Sequence, residues 1–147
     1  MLYGTTQWPP QPYYIIGATA LLAVAIHYRL LYYVALELIL IAGHTAIILG
    51  HGPYIQIALP ILLCLQLLIF YLILNKDKSL ILFLGICGIA LLSLGFADDN
   101  QWLFFTGGAF IALYSYYSGY KGQYPAYIWA ILNTIFSFLS FYKLFIL

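Results

Sequence analysis

Charge is what this sequence has least of. Five Lys and Arg and four Asp and Glu are spread over 147 residues, 6% of the chain, where a soluble domain carries about a quarter. So few charges leave no room for a soluble domain, and the net charge of +1 excludes the clustered Lys and Arg of a nucleic-acid footprint or a polybasic lipid-binding arm. Cysteine is almost as scarce. Cys64 and Cys87 both fall in apolar runs without a CxxC spacing, which argues against a disulfide framework or a zinc site and for small buried hydrophobes. The hydrolase and nucleotide patterns GxSxG, HExxH and GxxxxGK[ST] are missing, so nothing motivates an enzyme. The first twelve residues lack a basic n-region, so no cleavable signal peptide is expected and the first span itself serves as the insertion signal.

What is present is hydrocarbon-soluble sequence: 65% apolar residues, 19% aromatic residues and a mean hydropathy of +1.01. These values place the chain in a lipid bilayer as a polytopic, all-α membrane protein. Pro9, Pro10 and Pro12 close an extended tail over 1–12, because proline removes helix donors, and 13–147 forms one membrane domain. Six short transmembrane helices are expected. The first runs from Tyr13 to about Tyr28, and a break near His27–Arg29 separates it from the second, Leu30–Gly50, since an unbroken helix would far exceed a ~30 Å core. Gly50, Gly52 and Pro53 end the second; Ile55–Leu74 forms the third, with Pro60 able to bend it. Ser79–Phe96, Trp102–Gly119 and Ala126–Lys143 complete the six, and Leu144–Leu147 is an apolar end. Asp98 and Asp99 are expected to cap the fifth helix at its N-terminus.

Loop charges orient this arrangement. Arg29, Lys76, Lys78 and Lys121 fall in the first, third and fifth loops, and such residues concentrate on the cytoplasmic side. Both termini are therefore expected on the non-cytoplasmic side. Trp and Tyr favour the interface, which assigns Tyr28, Tyr32, Tyr33, Tyr71, Tyr116, Tyr117, Tyr120, Tyr124, Tyr127 and Trp129 to one belt and Trp8, Tyr13, Tyr14, Tyr54, Trp102 and Tyr142 to the other.

The second helix carries the costly chemistry. Glu37, His44 and His51 recur every seven residues, which keeps them within ~20° per step of one helix face. Ionisable residues at membrane depth face a bundle interior, a partner or a proton path. Counting residues from the expected ends puts Gln66 and Asn133 at the depth of Glu37, with Tyr114 or Ser115 close by, so amides and a hydroxyl are expected to hold its carboxyl. No Lys or Arg lies deep enough to pair with it. An ionised carboxylate without a cation is disfavoured in a low dielectric, so Glu37 is expected to carry a proton, as a relay requires. His44 lies ~10.5 Å further along the axis, too far for direct transfer, and water or other side chains must bridge the gap. The pair is also too widely spaced to ligate one metal ion. No cofactor is predicted; a haem shared with another subunit through His44 is the one option left open. Glycines and small residues in the fourth and fifth helices, including Gly108, Ala112 and Ser115, suit close helix packing.

Two functional readings follow. The first is a small integral subunit of a larger membrane complex, energy-coupling in kind, with the Glu37 stripe facing a partner subunit, a copy of itself or a proton path. The alternative is a stand-alone or homo-oligomeric proton-coupled transporter or channel with a midplane site at Glu37, His44, Gln66 and Asn133. A membrane enzyme acting on lipid or quinone is a distant third.

Overall fold

The computed structural model describes residues 9–50, 52–74 and 79–146, the side chains of 70, 73 and 74 excepted. These residues form six helices and no strands: α1 Gln11–His27, α2 Leu31–Ile48, α3 Pro53–Leu74, α4 Leu80–Asp98, α5 Gln101–Tyr120 and α6 Ala126–Phe145. Three of them, α2, α4 and α6, are long and apolar enough to cross a membrane, which is consistent with a membrane location. Sequence reading expects six such helices. Two of the differences have plain causes: α1 is a shorter apolar helix of 17 residues, and the 20 residues of α5 are diluted by Gly, Ser, Thr, Tyr and Gln101.

Punctuation residues explain the helix ends. Pro10 precedes α1 and Pro12 sits in its first turn, where the missing N–H costs nothing. Three of the ends share one device. After α1 the Leu30 amide donates to Ala25 O at 2.9 Å and the Arg29 amide to Ile26 O at 3.1 Å, with Arg29 left-handed at φ 55°. This is a Schellman closure, made at Arg29 without the glycine that usually occupies the position. The ends of α4 and α5 close similarly, through Asn100 N to Gly95 O at 3.1 Å and Gln123 N to Ser118 O at 3.0 Å. Such tight ends turn the chain back at once and set α1 against α2, α4 against α5 and α5 against α6.

The cap of α5 differs from expectation. Asn100 is the N-cap, its Oδ1 accepting from Trp102 N at 3.0 Å, while Asp98 ends α4 and Asp99 takes the left-handed turn position at φ 49°. A neutral amide does the capping, worth ~1 kcal/mol, because the connection is too short to place either aspartate there.

Glycine sets how closely α4, α5 and α6 approach. A Cβ on Gly107 would lie 2.6 Å from the Leu92 backbone nitrogen on α4, and one on Gly108 would lie 2.6 Å from Ser137 Oγ on α6. Two neighbouring glycines, ~100° apart around α5, thus serve two different contacts, with α4 and with α6. The core draws on all six helices and is rich in aromatic rings: Tyr32, Tyr33, Phe104, Trp129 and Phe136 are all buried. Interface anchoring, expected for Tyr14, Tyr32, Tyr33 and Trp129, gives way to burial; each lies on the helix face turned to a neighbour.

Candidate functional site

Glu37 sits at mid-length in α2 and is 1% exposed. Its surroundings come from four helices: Leu21 of α1, Leu36 and Leu40 of α2, Leu92 of α4, and Trp129, Leu132, Asn133 and Phe136 of α6. Within this apolar cage the carboxyl has one hydrogen bond, donated by the Trp129 indole Nε1 to Oε1 at 2.7 Å. Oε2 has no partner. The described cations Arg29, Lys121 and Lys143 are all exposed at helix ends, so no Lys or Arg among the described residues compensates the acid.

Trp129 is itself held from two sides. Its ring stacks on Tyr33, centroids 4.4 Å apart and planes 30° from parallel, and its backbone carbonyl accepts from Asn133 Nδ2 at 2.9 Å. Stacking fixes the indole plane, and its N–H then points along α2 to the acid. The cavity beside Glu37 measures about 10 Å³, the lower limit for one water molecule.

His44 occupies a second enclosure. Its ring, 2% exposed, lies 5.0 Å from that of Tyr14 and 4.5 Å from that of Phe96, the latter edge-on. Neither ring nitrogen has a hydrogen-bond partner. The adjoining space is again about 10 Å³, lined by Ile39, Leu40, Gly43, Ser93 and Phe96. Leu40 walls both cavities, so the two polar residues share a helix face but not a continuous polar path.

The five residues singled out from sequence meet different ends. Glu37, Asn133 and His44 are buried in the interior. Asn133 lines the Glu37 cavity but spends its amide on its own helix, and neither Tyr114 nor Ser115 bonds the acid; the Tyr114 ring lies 4.0 Å from Tyr32 instead. Gln66 does not join them. It is exposed on α3, because equal depth along an axis says nothing about rotation around it. His51 lies outside the described residues, beyond the end of α2 at Ile48. A porphyrin on His44 finds no space between Tyr14 and Phe96, and His27, the other described histidine, is exposed at the end of α1. Among the described residues no group of three His, Cys, Asp or Glu could hold a metal ion.

Sequence reading missed Trp129, the donor that defines the site. A signal existed. Trp129, Asn133, Phe136 and Ser140 are spaced four, three and four residues apart and are all buried, which marks the inward face of α6 and sets this tryptophan apart from an interfacial one. Comparison with protein-family models, curated proteins and solved structures found no match.

Proposed function

We propose that this chain is a small integral membrane subunit of a larger, energy-coupling complex, crossing the membrane six times with both termini on the non-cytoplasmic side, and that Glu37 is its proton-carrying group. The observation that carries the reading is an enclosed acid with a neutral indole donor, an unpartnered second oxygen and no described cation in reach. A structural hydrogen-bonding role needs only a glutamine here; a titratable acid is the costly choice. Space favours a subunit over a stand-alone transporter, since the cavity at Glu37 admits one water at most and a midplane solute site needs far more. Proton movement between Glu37 and His44 requires Leu40 to swing aside or a partner helix to supply the connection.

Glu37→Gln keeps the shape and one acceptor but removes the titratable proton. In the assembled complex we expect the protein to remain folded and co-purify with its partners while proton-coupled activity falls at least tenfold. His44→Gln should lower the same activity less, and His27→Gln, at the exposed end of α1, hardly at all. Full activity in Glu37→Gln would end the proton-carrying role.

The topology has its own test. Single cysteines placed at Lys76 and Asp98, in a chain with Cys64 and Cys87 replaced by alanine, should be labelled by an impermeant maleimide from opposite sides of the membrane. Labelling from one side would remove α4 as a span and with it the six-span arrangement.

A further inference from the structure

Gln66 stands on the outer face of α3 among Leu62, Leu65 and Ile69, all exposed. It lies eight residues from the nearer helix end at Leu74, ~12 Å along the axis, out of reach of the polar surface for so short a side chain. Its amide has no hydrogen bond to any described residue. Other polar side chains on outward faces avoid this expense. Thr19, Thr45 and Thr106 each donate to the carbonyl four residues back, at 2.7, 2.7 and 2.9 Å, whereas the Gln66 amide, with two donors and an acceptor, closes on no described residue. A bare amide in hydrocarbon is costly, and in membrane helices such groups bond across helix interfaces.

We propose that the Gln66 face of α3 is the interface with a second copy of this chain, the two Gln66 amides pairing across a two-fold axis along the membrane normal. The proposal rests on the reading of this chain as a membrane subunit and supplies one of its partners. The amide chooses the partner. In a two-fold pair a residue that lies on the axis meets its own copy, and an axis along the membrane normal keeps both copies of Gln66 at the same depth; a carboxamide is self-complementary, each offering an N–H to the other's oxygen. Leu62 and Ile69, four residues before and three after, lie on the same side of the helix and pack around the pair.

The test uses the full-length chain in phosphatidylcholine vesicles. With Cys64 and Cys87 replaced by alanine and Gln66 retained, Leu62→Cys and Ile69→Cys should oxidise to a disulfide-linked dimer at least ten times faster than Leu113→Cys, which is exposed on α5. In a dilution series, Gln66→Leu should weaken self-association about tenfold, and Gln66→Asn should retain most of it. Equal oxidation at all three positions, or Gln66→Leu associating as the wild type does, would overturn the pairing. So would a photo-crosslinker at position 66 that traps a different protein in native membranes, an outcome that leaves the subunit reading intact. A Gln66-dependent dimer that co-purifies with no other chain would uphold the pairing and defeat the larger complex.

Discussion

Gly107→Ala should be the most damaging single methyl group in this protein, lowering stability by about 3 kcal/mol. The added Cβ would lie 2.6 Å from the Leu92 backbone nitrogen and 3.0 Å from both Gly88 O and Leu92 Cα. Backbone atoms in a helix cannot turn away as side chains do, so α4 and α5 must separate along their shared length, and the contacts around Ile89, Leu92 and Ile111 open with them. Gly43→Ala is the control. Its Cβ would meet only Pro60 Cγ at an ordinary 3.7 Å, and replacing a helical glycine by alanine gains up to ~1 kcal/mol. Denaturant titration of both variants in one detergent should show opposite signs; equal losses would mean that α4 and α5 tolerate separation.

Trp129→Phe is expected to cost about 2 kcal/mol, because the ring stack on Tyr33 survives while Glu37 Oε1 loses its donor and stays buried. Glu37→Leu should cost a similar amount by orphaning the indole N–H. Their combination removes both partners together, and replacing a buried pair by apolar groups costs much less than breaking it. The double variant should therefore be at least ~1 kcal/mol more stable than the sum of the single losses predicts. Additive losses would show that the 2.7 Å contact contributes no coupling.

Helix ends were readable because they are written in residues with backbone consequences. Arg29, Gly50, Gly52, Pro53 and the acidic pair 98–99 each mark a place where one helix gives way to the next, and the observed ends fall within a few residues of them. The axial level of Asn133 was readable too, since axial rise is fixed and Asn133 does line the Glu37 cavity. Rotation was not. Gln66 and Asn133 share a level with Glu37 by counting, yet only Asn133 faces inward, and which side of α3 turns to the bundle depends on neighbours that no single segment specifies. The acid was legible as an expensive residue within an apolar helix, whereas its donor was passed over, because an aromatic near a helix end is assigned to the interface by default and the inward spacing on α6 went unweighed. Asp98 and Asp99 misled for a related reason: charge suggests a cap, but the geometry of a two-residue turn gave that role to Asn100.

The stack of Trp129 on Tyr33 also gives this protein an optical consequence. The Trp129 indole is fully enclosed and touches the Glu37 carboxyl directly, whereas Trp102 is largely exposed. Any change of charge on that carboxyl acts at hydrogen-bond range on an aromatic chromophore whose excited state has a different dipole from its ground state. Its absorption edge and emission must shift with the acid, so the protein carries its own fluorescent reporter of the group at its centre.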